Sequence, residues 1–169
     1  MAETAALRIA RVDYGDPDAV RLVAEVQQEY VRRYGSPDDT PLDPLMFVPP
    51  TGSFFVAYDD ADGGRPVATG AWRRSQVVVF DTARTAEVKR MYVVEAARGR
   101  GLARLVLAHL EATAAEAGAE ALVLETGIAQ PEAIALYESS GYTRVPGFGH
   151  YRDSPLSRCF GKDLRCSSR

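Results

Sequence analysis

The sequence predicts one α/β (α+β) domain whose mixed, mostly antiparallel sheet is flanked by helices. Three observations lead there. The chain has 169 residues, 46% hydrophobic and 25% charged, enough to bury roughly 70% of its unfolded surface around a single core. Two apolar runs, 54–58 and 66–74, flank D-D-A-D-G-G-R, a hairpin signal. A strand, a glycine turn, a helix and a second strand follow from Ala86 to Glu125, the order of a parallel pair joined by a crossover helix. Residues 1–169 are expected to form one domain, with no internal repeat, low-complexity tract or linker.

Each element has its own signal. Leu7 to Val12 alternates apolar and polar residues, the period of a half-buried strand. Pro17 opens a helix running to about Arg33, with Val20, Val23, Val26 and Tyr30 on one face and Gly35 closing it. Residues 36–52 hold five prolines among Leu45, Met46 and Phe47. Such a stretch is neither a long helix nor a central strand and reads as a lid, a wall or a plain connector. Short β-branched Gln76–Phe80 and then Ala86–Val94 read as strands. A helix follows from about Arg100 to Ala117, with Leu102, Leu105, Val106, Leu110 and Thr113 on one face and Gly118 at its end. Ala121–Glu125 is a strand, Pro131 starts a helix ending before Gly141, and Arg158–Leu164 supplies a last strand.

Composition excludes several classes. Twenty basic against twenty-three acidic residues leave a net charge of −3, whereas a duplex-binding protein needs a basic surplus to displace counterions. No nucleic acid or membrane partner is expected. Cys159 and Cys166 stand alone, His109 and His150 lie far apart, and a zinc site needs about four such ligands, so no metal is expected. Glu3 and Arg8 interrupt the apolar run that a signal peptide needs, and Ser167, Ser168 and Arg169 after Cys166 make a poor prenylation signal. With low cysteine use, these features point to the cytoplasm.

The turn R-G-R-G-L-A carries the chemistry. Six basic residues between 84 and 104 oppose only Glu87 and Glu95, a local +4 in an acidic chain. A helix starting there presents unpaired N–H groups and about half a positive charge, a place for an anion. No G-x-x-x-x-G-K-[ST] string occurs, which excludes a P-loop. Gly99-Arg100-Gly101-Leu102-Ala103-Arg104 has two glycines of a dinucleotide fingerprint, but arginine replaces the third.

Arg98-Gly99-Arg100-Gly101-Leu102-Ala103 resembles the R/Q-x-x-G-x-G/A signature of the GNAT superfamily of acyl-CoA-dependent N-acyltransferases. Glu87 to Val93 resembles that family's central strand, and Ala133 to Tyr142 its A-x-x-L-Y-x-x-x-G-F/Y motif. The resemblance covers nearly the whole chain and is weakest from Ser36 to Gly52. It implies a GNAT-like sheet of about seven strands with about four helices. It also implies acetyl-CoA as cosubstrate, a homodimer as a common assembly, and direct transfer to an amine in a ternary complex, as in bacterial small-molecule members. Arg98, Gly99, Arg100, Gly101, Leu102 and Ala103 would hold the pyrophosphate, and the backbone of Met91, Tyr92 and Val93 the pantetheine arm. Gln130 departs from the asparagine that many members carry there.

Acyl transfer needs a neutral amine, a polarised carbonyl and a protonated leaving thiol. An amine of pKa near 10.4 is neutral in only about one molecule in a few thousand at pH 7, equivalent to roughly 4–5 kcal/mol. A carboxylate can offset part of that. Glu87 is the candidate base by resemblance; otherwise it is a strand glutamate paired with an arginine. Tyr137 is the candidate acid, in a context where an aromatic is otherwise core. His109 reads as a buried or interface histidine. His150 and Tyr151 in a glycine-rich loop, and Arg73, Arg74 and Arg90 on strands, are candidate acceptor contacts, the arginines suiting an amino-acid-like acceptor. Cys159 has no basic neighbour to make it a nucleophile. Two alternatives stay open: a protein lysine or N-terminal acetyltransferase, and a non-catalytic acyl-CoA-binding module.

Overall fold

A computed structural model describes residues 7–165; Glu3 and Cys166 lie outside the described residues. The half-buried alternation at the start becomes β1 (Leu7–Val12). Strands β2 (Gly52–Asp59) and β3 (Arg65–Ser75) form the expected hairpin, and β4 (Thr85–Val93), β5 (Ala121–Gly127), β6 (Thr143–Arg144) and β7 (Ser157–Asp163) complete one sheet. Its order is β1-β2-β3-β4-β5-β7-β6. Among the described residues only the β4–β5 pair is parallel, as a crossover helix requires.

Among the described residues three α-helices flank the sheet: α1 (Pro17–Tyr34), α2 (Leu102–Glu116) and α3 (Pro131–Ser139). The expected fourth is represented only by 3-10 turns at Pro44–Phe47, Asp60–Asp62 and Glu95–Ala97. Helix α1 starts where Asp16 accepts from the Asp18 and Ala19 amides and stops at left-handed Gly35, a side-chain cap and a glycine cap. It buries Ala19, Leu22 and Val26, while Val20 is 54% exposed. Val23 and Tyr30 pack partly buried against the same cluster, so the expected face holds apart from Val20, with Ala19 and Leu22 at its centre. Successive β2 residues face opposite layers: Phe54 and Val56 pack with α1, Phe55 and Ala57 with α2.

Two further expectations are corrected. Gln76–Phe80 is not a strand of the sheet. The segment instead makes one bridge, Val79 to Thr82, and packs Val79 beside Val123 and Phe148. The crossover helix begins at Leu102 rather than Arg100, since Gly101 is left-handed with φ 76°.

One irregularity sets up the site. Thr69 pairs with Tyr92 and Ala71 with Lys89, so Arg90 and Met91 together face Gly70. Arg90 has φ 56°, and Thr69 Oγ1 donates to its carbonyl at 2.7 Å. A side chain at Gly70 would overlap Val106 and Met91, so the bulge and α2 both need this glycine. A bulge bends its strand, and the β4–β5 ladder ends at Glu87–Val123. Beyond that point the two strands fork.

Helix α1 reaches the fork from the other face. Arg33 donates to the Ala129 carbonyl at 2.7 Å, and the Tyr34 ring lies where a Cβ on Gly127 would be. Gly127→Ala should therefore destabilise the domain by about 1–3 kcal/mol, the range for overpacking. Urea denaturation should show a lower midpoint with an unchanged slope.

Candidate active site

The fork opens into a cavity of about 460 Å³. One wall is β4 from Val88 to Val93, the other is Leu124 to Thr126 with α3, and the head is the turn Arg98–Arg104. Gly99 and Gly101 have φ 80° and 76°, and a Cβ on either would meet nothing within 4 Å. No side chain caps α2. Its first N–H groups thus remain without helical partners, at the positive end of a 15-residue helix.

The arginines of this turn are committed to protein. Arg98 bonds Glu29 at 2.9 Å and the Val93 carbonyl at 3.0 Å. Arg100 pairs with buried Asp59 at 2.9 Å, and Arg104 bonds Ser139 and Ser140. They fasten the turn to α1, β2 and α3. An anion at its head would meet backbone amides and the helix dipole rather than these guanidinium groups, an arrangement that suits a diphosphate.

A second cavity, about 230 Å³, adjoins the first. Tyr30, Asp38, Glu125, Thr126 and Gln130 line both. Its walls are the end of α1, Ser36–Asp38 of the proline-rich stretch, and the Tyr151–Ser157 loop. Asp38 pins the wall. It accepts from Arg90 at 2.8 Å, from the Thr40 amide at 2.9 Å and from the Thr40 hydroxyl at 2.6 Å. Burial pushes its carboxyl up, but the Thr40 and Arg90 bonds outweigh that and hold it down at about 2. The rest of the proline-rich stretch is packed down, with Phe47 buried against Tyr14 and Phe54.

A profile of the acetyltransferase (GNAT) family matches residues 22–142. The chain belongs to that family. An "IAA acetyltransferase" of Azospirillum brasilense is 34% identical over 157 residues, covering 92% of this chain and 97% of that one. Among solved structures, a Klebsiella pneumoniae protein assigned to the acyl-CoA N-acyltransferases is 31% identical. It covers 95% of this chain and 99% of its own, with TM-score 0.74. An "IAA acetyltransferase" of Bacillus cereus shares the fold at 18% identity and TM-score 0.62, covering 93% and 99%. The chain is an acetyl-CoA-dependent acetyltransferase, and its forked strands and open helix terminus fit an acyl-CoA.

Most expected cofactor residues meet at the larger cavity: Met91, Tyr92, Val93, Arg98, Gly99, Gly101, Leu102, Ala103 and Gln130 all line it. Arg100 does not, because Asp59 draws it away. Gln130 accepts from the Tyr34 hydroxyl at 3.3 Å. Tyr137 lines the same cavity, buried against Tyr142 and Phe160, its hydroxyl without a hydrogen-bond partner among the described residues. Burial pushes that hydroxyl well above the ordinary tyrosine value.

Other expected residues do not come together there. Glu87 lines neither cavity; it is buried between Arg73 at 2.8 Å and Lys89 at 3.0 Å. Arg73 is thereby occupied, Arg90 is held by Asp38, and Arg74 bonds the Pro50 and Ala117 carbonyls. Tyr151 lines the smaller cavity and bonds Asp38 at 3.1 Å. His150 pairs with Asp39 at 3.0 Å outside it. His109 packs edge-on against Phe55, and burial lowers its pKa. Cys159 is buried, and burial raises its thiol pKa, which disfavours a thiolate.

Glu125 is the residue that sequence reading missed. It stands two positions past the last parallel pair, in both cavities, and burial holds its carboxyl above the usual range. Its only sequence signal was to end the strand after the crossover helix.

The Asp38 network gives a signed pH dependence. A carboxyl depressed from 3.8 to about 2 stabilises the fold above the unfolded value and stops doing so as pH falls through the folded one. The stability gap between the wild type and Asp38→Asn, measured by urea denaturation, should be full at pH 5 and shrink towards pH 2.

Proposed function

We propose that the protein moves an acetyl group from acetyl-CoA to the amine of a small molecule, by direct transfer in a ternary complex. The carrying observation is the shared seam of the two cavities at Glu125 and its neighbours, which lets both substrates lie end to end. The size of the acceptor cavity, and its walls from two loops, support a small molecule over a protein tail. So do the names of the Azospirillum and Bacillus relatives.

Bound acetyl-CoA supplies a thioester carbonyl. Around it the uncapped amides of α2 receive the diphosphate, and the unpaired edge of β4 past Glu87 offers backbone groups to the extended arm like an added strand. Glu125 takes the proton of the acceptor ammonium. The freed nitrogen pair forms the N–C bond as the C–S bond breaks, and the Tyr137 hydroxyl gives the leaving sulfur a proton. Both groups return to their starting states by exchange with solvent. A half-buried carboxyl with a raised pKa is a better match for this work than the doubly paired Glu87.

Acetyl-CoA with an amine panel, scored by free-thiol release, tests the reading; tight binding of acetyl-CoA without turnover on any amine would indicate a binding module instead. Tyr137→Phe should lower kcat by about 10²-fold or more while leaving acetyl-CoA affinity within about twofold, whereas a core role would lower stability and leave kcat unchanged. Gly101→Glu meets open space but adds strain and negative charge at a left-handed residue. It should abolish acetyl-CoA binding by calorimetry with cooperative unfolding retained, and retained affinity would count against the amide cradle.

A further inference from the structure

Among the described residues no lysine or arginine lines the smaller cavity. The rings of Tyr30, Tyr34 and Tyr151 and the apolar Pro37 and Leu156 make up much of its wall. Of its two carboxylates, Asp38 is spent on Arg90 and Thr40. Glu125 makes no ion pair among the described residues. The Cys159 thiol stands 3.8 Å from its Oε2, and a Cβ on Gly149 would stand 3.8 Å from the same oxygen, so the glycine loop passes over it. Lys89 acts on Glu125 only from a distance, being bonded to Glu87 at 3.0 Å, and a half-buried carboxylate without a cation in direct contact is a costly arrangement. The ligand is the natural source of the missing charge, and aromatic faces nearby suit both a cation and a ring.

Resting on the acetyl-transfer reading, we propose that this cavity takes a cationic amine with a compact aromatic or apolar body and no carboxylate of its own, its ammonium group seated on Glu125. An acceptor carboxylate would find no basic side chain here, since Arg73 and Arg90 are already paired. The volume of about 230 Å³ equals the share of about eight waters at roughly 30 Å³ each. That is room for one ring and a short amine arm.

The test uses the full chain with acetyl-CoA and matched acceptors: 2-phenylethylamine against phenylalanine, tyramine against tyrosine, with IAA and a lysine-bearing peptide alongside. Calorimetry with CoA present measures amine binding without turnover. Each amine should exceed its amino acid in kcat/KM by about tenfold or more, the scale of one charge-assisted contact. Glu125→Gln should weaken 2-phenylethylamine by a similar factor. It should also raise the Tm at pH 7, because a carboxyl raised on folding destabilises the native state once pH exceeds the folded value. Amino acids used as well as the amines, amine binding unchanged in Glu125→Gln, or a lowered Tm in that variant would each overturn the proposal. Thiol release with IAA or the peptide alone overturns the acceptor class and leaves acetyl transfer standing. No release with any acceptor, beside amine binding that Glu125→Gln removes, upholds the class and defeats the transfer reading.

Discussion

The fork between β4 and β5 depends on one extra residue in a ladder. Arg90 and Met91 occupy the space opposite Gly70, and the strand bends where the pairing would otherwise continue. A non-glycine residue held at φ 56° is uncommon and carries strain. The surroundings offset it: the Arg90 carbonyl accepts from Thr69, and its guanidinium, 4% exposed, bonds Asp38. The residue that bends the strand beside the larger cavity therefore also anchors the wall of the smaller one. Two sites that meet at a seam are built from one backbone irregularity.

Charge does less at the cofactor turn than its count suggests. The local surplus of basic residues read as an anion footprint, yet Arg98, Arg100 and Arg104 each spend their donors on neighbouring elements. What faces the open space is a helix end without a side-chain cap, presented by two left-handed glycines. Those arginines fix the turn in place, and fixed dipoles need no reorganisation when an anion arrives. Positioning and binding are thus divided between side chains and backbone.

Features with a local cause were legible in the sequence. The glycine turn, the crossover helix, the hairpin and the capped α1 each follow from a few adjacent residues, and the residues of that turn and of the strand before it line one cavity. Features set by distant partners were not. Gln76–Phe80 has strand composition but joins no strand of the sheet. Val20 shares the helical spacing of Val23 and Val26, which reach the core, yet it lies at the edge of that face and is exposed. Tyr30, Tyr34 and Asp38 reach the site only because Arg33 and Tyr34 dock α1 onto the β5–α3 connection, a contact across more than ninety residues.

The same distinction separates the two glutamates. Glu87 and Glu125 sit on adjacent parallel strands, and Glu87 pairs with Val123 in the last rung of the ladder. Residues two apart on a strand share a face, so Glu125 continues the row that begins at Val123. One carboxylate lies before the fork and the other after it. Before the fork β3 is close, and Arg73 reaches Glu87 at 2.8 Å; past it the strands part, and Lys89, bonded to Glu87 at 3.0 Å, acts on Glu125 only from a distance. Parallel register is fixed by packing across the crossover helix rather than by either strand's residues, so no local pattern could tell which glutamate would be neutralised. Position relative to the fork, more than residue type, decides which carboxylate the protein pairs with its own cations.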